Sequence, residues 1–113
     1  MAIDLSYFEN ISGGDKAFVK QMLEMFKDST LTEVEKIEEL LTKKDWTMIG
    51  LIAHKIKAPI QMIGREDIVE DVLKLEKSAK SQMNLDEIGS MIKIVKDHVI
   101  RVNDEIDILV KSM

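Results

Sequence analysis

The sequence predicts an all-α fold: an antiparallel up-down four-helix bundle with an additional N-terminal helix. Three observations carry that expectation. Across 85–111, Leu85, Ile88, Ile92, Val95, Val99, Val102, Ile106 and Leu109 recur at alternating steps of three and four. That is a near-heptad seam, suited to shallow-angle packing between helices. Five glycines, one proline and 4% aromatics are few for the turns and packed sheets of an all-β chain. The chain of 113 residues holds one core, and the short breaks between its periodic segments imply antiparallel neighbours.

Residues 1–113 therefore read as a single domain, with 1–14 as a lead-in and 15–111 as the helical bundle. In the lead-in, Ile3, Leu5, Tyr7, Phe8 and Ile11 can pack on the bundle. Ser12-Gly13-Gly14 signals a turn, and Asp15 is a suitable N-cap. A first helix is expected over about 15–28, with Phe18, Val19, Met22, Leu23, Met25 and Phe26 on its apolar face, packing as a lid. Thr30 and Glu33 have capping-box spacing, which predicts a restart and a separate helix to about 43. Asp45 is placed to cap a third helix over about 46–63, and Gly64 to stop it. A fourth runs over about 66–80, with Ile68, Val72, Leu75 and Ala79 facing in. Asn84 to Glu87 has the form of another capping signal, opening the last helix.

Composition excludes several function classes. The chain has no cysteine, so disulfides, thiolate metal sites and cysteine nucleophiles are ruled out. This suits a reducing cytoplasm, the expected location. A net charge of −5 argues against nucleic acid as the main partner. No apolar run approaches the roughly 18 residues of a membrane span, and no leader peptide is read at the start. Gly-rich phosphate loops and acid clusters with metal spacing are also missing from the sequence, so no metal or other cofactor is expected on the chain itself. The eight methionines read as adaptable core filler.

The third helix carries the chemistry. Its core stripe is Ile49, Ala53, Ile56, Ile60 and Ile63, and His54 is rotated about 100° from Ala53. Gly50, Lys57, Ala58 and Gln61 share the histidine's face. Small residues beside a reactive side chain admit another protein's backbone. A largely neutral imidazole offers a ring nitrogen as a reversible nucleophile for a phosphoryl group, and a cation one turn away offsets the incoming charge. On spacing alone, however, a solvated or half-buried histidine outweighs a reactive one.

A resemblance adds to this reading. Ala53-His54-Lys55-Ile56-Lys57-Ala58, with Gly64 ten residues after the histidine, resembles the A-H-x-x-K-G core of histidine-containing phosphotransfer (HPt) domains. Gly14-Asp15 before an apolar helix ending in Phe26 is similar to the family's opening helix. Asp45-Trp46 is similar to the D-W that precedes its active helix, and Leu75-Glu76 with Ala79 to its L-E-x-x-A. The likeness covers roughly residues 5–110. It implies that His54 is the phospho-acceptor and that Lys57 steadies the phosphoryl charge. It further implies partners in the receiver domains of response regulators or hybrid histidine kinases. The chain would take phosphate from a receiver aspartate and pass it to another receiver, with Mg²⁺ on the receiver and no kinase activity of its own. Two positions depart from the pattern. Ala58 stands where the family has glycine, and Pro59 follows it, removing an N–H and predicting a kink past the site.

The expected docking patch combines Gly50, Leu51, Lys55, Ala58, Gln61 and Arg65 around His54 and Lys57. The chain is expected to act as a monomer, away from nucleic acid and membranes. The alternative is a non-catalytic adaptor of the same fold that binds a receiver or kinase without carrying phosphate. An enzyme using His54 as a general base is a weaker third, lacking a visible second catalytic group. His98, beside the last seam, reads as a partly exposed structural histidine.

Overall fold

The computed structural model describes residues 2–113, all of whose regular elements are helices. They are α1 (Ser6–Ser12), α2 (Lys16–Thr42), α3 (Trp46–Met62), α4 (Glu66–Ser81) and α5 (Leu85–Lys111). Helices α2 to α5 form a ring in which α2 packs on α3 and α5, and α4 packs on the same two. The links between them are three residues long, so successive helices run antiparallel. The long axis of 44 Å is set by α2 and α5, whose 27 residues each span roughly 40 Å of helix.

The lead-in is helical, and it is the additional N-terminal helix. Helix α1 buries Phe8, ends at Gly13 with φ +64°, and packs on α2. The lid is therefore α1, not the segment 15–28. That segment and the expected helix to 43 are one continuous α2, which corrects the predicted break at Thr30. No glycine or proline interrupts 16–42. Val19, Leu23, Phe26, Thr30, Val34 and Ile37, all buried, keep the helical phase straight through the expected break. Breaking the helix would throw that stripe out of register, so burial outweighs the local capping signal. Thr30 is buried mid-helix, and Glu33 is buried facing α3 instead of capping.

Two other caps form as expected. Asp15 accepts from the amides of Ala17 and Phe18, and Asp45 from that of Met48 at 3.2 Å. Asn84 does not cap with its side chain. It adopts the left-handed conformation, φ 55°, which asparagine tolerates, and its carbonyl accepts the Glu87 amide at 2.9 Å. Gly64 follows α3 at φ +73°, and a Cβ there would lie 2.6 Å from Asp4 Cβ. The Asp4 amide donates to the Ile63 carbonyl at 2.8 Å, which ties the lead-in to the end of α3.

The core joins the predicted stripe of α3 (Ile49, Ala53, Ile56, Ile60, Ile63) to that of α4 and the α5 seam, with Ile88, Ile92, Val95, Val99, Val102 and Ile106 all buried. Helix α3 runs through Pro59 to Met62, so the proline does not end it. Pro59 instead lines an apolar hollow with Phe8, Met22, Phe26 and Met62.

Candidate functional site

Because Ile49, Ala53 and Ile56 commit one side of α3 to the core, His54 is carried to the outer side of the bundle. Its side chain is 62% exposed. Helix α4 packs alongside and presents Glu76, whose side chain is only 7% exposed. His54 Nδ1 lies 2.8 Å from Glu76 Oε2. Lys57, one turn along α3, places Nζ 2.6 Å from Glu76 Oε1. Lys80, one turn along α4, places Nζ 2.7 Å from Oε2. One buried carboxylate thus gathers a histidine and two lysines.

Burial of the Glu76 carboxyl acts to raise its pKa. Hydrogen bonds from Lys57, Lys80 and His54 outweigh it and hold the group down to about 2. Glu76 is therefore ionised at neutral pH and can only accept. In the His54 contact Nδ1 is therefore the donor, and Nε2 is the ring nitrogen that Glu76 does not engage. No partner for Nε2 occurs among the described residues. An exposed imidazole tied through Nδ1, with a half-buried lysine on the same carboxylate, is an arrangement that can offer a ring nitrogen as a nucleophile.

The remaining predicted residues fall into two groups. Leu51, Lys55, Ala58 and Gln61 are exposed on the outer side of α3. Lys55 Nζ reaches Glu33 Oε1 of α2 at 3.2 Å. Gly50 and Arg65 are buried. Gly50 lies under the Lys80 stem, with a built Cβ 2.7 Å from Lys80 Cγ, so it does not present open surface. Arg65 is engaged by Asp67 at 3.0 Å and Glu105 at 3.3 Å, and its guanidinium is spoken for. His98 stands apart between α5 and α4, its Nε2 2.8 Å from Asp71 Oδ2, half-buried.

Sequence reasoning passed over Glu76 and Lys80 as members of the site. A signal for Glu76 was present: it sits on the apolar stripe of α4 between Val72 and Ala79, where an unpaired charge would be costly. Lys80 at i+4 was the matching cation. Among the described residues no cluster of three or more acidic or histidine side chains is arranged to hold a metal ion. Nor is any helix long and apolar enough to cross a membrane.

Comparison with known proteins gives a family match and distant relatives. The model of the Hpt domain matches residues 21–108. The virulence sensor protein BvgS of Bordetella pertussis is 25% identical over 72 residues, 64% of this chain and 6% of that protein. BvgS of Bordetella bronchiseptica is 24% identical over 84 residues, 74% of this chain and 7% of that protein. The chain thus spans less than a tenth of the length of these relatives. No solved structure matches it significantly.

Proposed function

On the premise that this chain belongs to the Hpt domain family, we propose that it carries a phosphoryl group on His54 as an intermediate of a multistep two-component phosphorelay. The observation that carries the reading is the exposed His54 ring with Nδ1 held by buried Glu76 at 2.8 Å.

The donor is an aspartyl phosphate on a receiver domain. The Nε2 lone pair attacks phosphorus in line, forming the N–P bond. The bond from phosphorus to the aspartyl oxygen breaks, and its electron pair leaves with the aspartate carboxylate. The Nδ1 proton stays in place, and the positive charge gained by the ring faces Glu76. Lys57 offsets the phosphoryl charge from its fixed position on Oε1. Attack by a second receiver's aspartate reverses these steps. The metal ion that receivers use belongs to the partner, and this chain has no kinase chemistry of its own.

Leu51, Lys55, Ala58 and Gln61 are the exposed residues that would meet that partner. Lysines 55, 57 and 80 make the surroundings of His54 locally cationic although the chain carries −5. An acidic receiver pocket suits that surface, and the encounter should weaken with salt.

The test mixes the chain with a receiver domain phosphorylated on its aspartate. Acid-labile, base-stable label should appear on wild type and vanish in His54→Gln. Label that persists in His54→Gln moves the acceptor elsewhere, His98 being the other histidine. Receiver binding by wild type with no label transferred establishes the non-catalytic adaptor instead.

A further inference from the structure

Gly50 is buried inside α3, where glycine weakens a helix relative to alanine. A Cβ at this position would lie 2.7 Å from Lys80 Cγ, 3.5 Å from Lys80 N and 3.7 Å from Ala79 Cβ. The Lys80 stem therefore crosses α3 at the point where the helix has no side chain. From that crossing its ammonium reaches Glu76 Oε2 at 2.7 Å, the same oxygen that meets His54 Nδ1 at 2.8 Å. Lys57 occupies the other oxygen.

A carboxylate shared in this way behaves differently from one facing a histidine alone. An uncompensated buried carboxylate beside imidazole favours the doubly protonated ring, which has no lone pair to attack phosphorus. With Lys57 and Lys80 both on Glu76, the three groups sum to a single positive charge. The ring is then still oriented through Nδ1–H, while both lysines offset the charge of the carboxylate it faces. On the same helix, Lys55 is paired with Glu33 of α2.

We infer that Gly50 and Lys80 form a positioning pair: the missing side chain at 50 seats the Lys80 stem, and the Lys80 ammonium divides Glu76 Oε2 with His54 so that the ring stays neutral with Nε2 bare. This deepens the phosphoryl-carrier reading and rests on it for its purpose, but the state of the ring is measurable without any phosphate.

The experiment uses the full chain labelled with ¹⁵N, as wild type, Lys80→Met, Lys80→Arg and Gly50→Ala. Nitrogen NMR of the His54 ring is recorded across pH 5–9. Labelling by phosphoramidate is then timed. In that reaction Nε2 forms the N–P bond and ammonia leaves with the electrons of the broken P–N bond. Wild type and Lys80→Arg should show a singly protonated ring at neutral pH, with the proton on Nδ1. Lys80→Met and Gly50→Ala should show more doubly protonated ring at the same pH. Their labelling should slow by about 2- to 5-fold, the scale of one partly exposed charge contact, and recover as pH rises. Wild-type ring signals and rates in both variants would overturn the inference. A change in Lys80→Met alone would overturn the part assigned to Gly50. A wild-type chain that keeps the predicted ring state but takes no label would sink the phosphoryl-carrier reading and leave the positioning pair standing.

Discussion

Lys57 and His54 meet opposite oxygens of one carboxylate: Lys57 Nζ is 2.6 Å from Glu76 Oε1, and His54 Nδ1 is 2.8 Å from Oε2. The lysine is thereby fixed on the same carboxylate that holds the imidazole, and half-burial keeps it there. Lys57→Ala should remove the held cation and leave Oε1 buried without a counter-charge. We expect phosphoryl acceptance to slow about tenfold and unfolding free energy to fall by about 1–2 kcal/mol. Timed label transfer from a phosphorylated receiver, with urea unfolding in parallel, checks both.

Glu76 predicts an acid-sensitive window. Its pKa is lowered from an ordinary 4.5 to about 2 in the folded protein, the bonds from Lys57, Lys80 and His54 overcoming burial. A depressed carboxylate stabilises the fold fully above its unfolded pKa. That stabilisation is lost as pH falls from about 4.5 towards about 2, and amounts to about 3 kcal/mol at most. Asp67, lowered by Arg65 over the same range, is more than a third exposed, so solvent screening leaves it a smaller share. Urea unfolding between pH 2 and pH 6 should show a flatter slope in Glu76→Gln than in wild type. Equal slopes would mean that Glu76 is not held in the folded state by these donors.

Gly64→Ala tests the junction between the lead-in and α3. The position has φ +73°, and a Cβ would lie 2.6 Å from Asp4 Cβ. Backbone strain and that contact together should cost about 1–2 kcal/mol, read as a lower melting temperature. The amide of Asp4, which donates to Ile63, should lose protection in hydrogen exchange.

Thr30→Val distinguishes a continuous α2 from two helices. A working N-cap at Thr30 would make the change cost about 1 kcal/mol. Thr30 is instead buried mid-helix, so no loss from a missing cap should appear and helical circular dichroism should not change. A loss at the N-cap scale would restore the break.

Much of the fold was legible because helical periodicity is a local property. The α5 seam, the α3 stripe and the Asp15 and Asp45 caps all follow from residues within one or two turns of each other. The failures share a cause. Thr30-x-x-Glu33 and Asn84-x-x-Glu87 carry the right letters for capping, but a cap forms only if the chain actually turns there. At Thr30 the in-phase stripe from Phe26 to Val34 holds the helix straight, and at Asn84 a left-handed residue turns the chain without the side chain's help. At the site, His54 was singled out because it lies off its own helix's stripe and within the Ala53-His54-Lys55-Ile56-Lys57 run that resembles the HPt core. The patch residues were less well placed, since Gly50 and Arg65 proved to be covered by side chains from elsewhere in the chain.

By itself the sequence determined that helices form, how many close the bundle, and that one imidazole stands on the outer side of the helix that follows Asp45. These depend on residue spacing along a helix, which the chain carries in its order. Only the packing of α4 against α3 decided which carboxylate faces that imidazole, which of its nitrogens is tied, and what fills the gap at Gly50. Those contacts join residues 22 and 30 positions apart, and their geometry exists only once two amphipathic faces have settled against each other in one register.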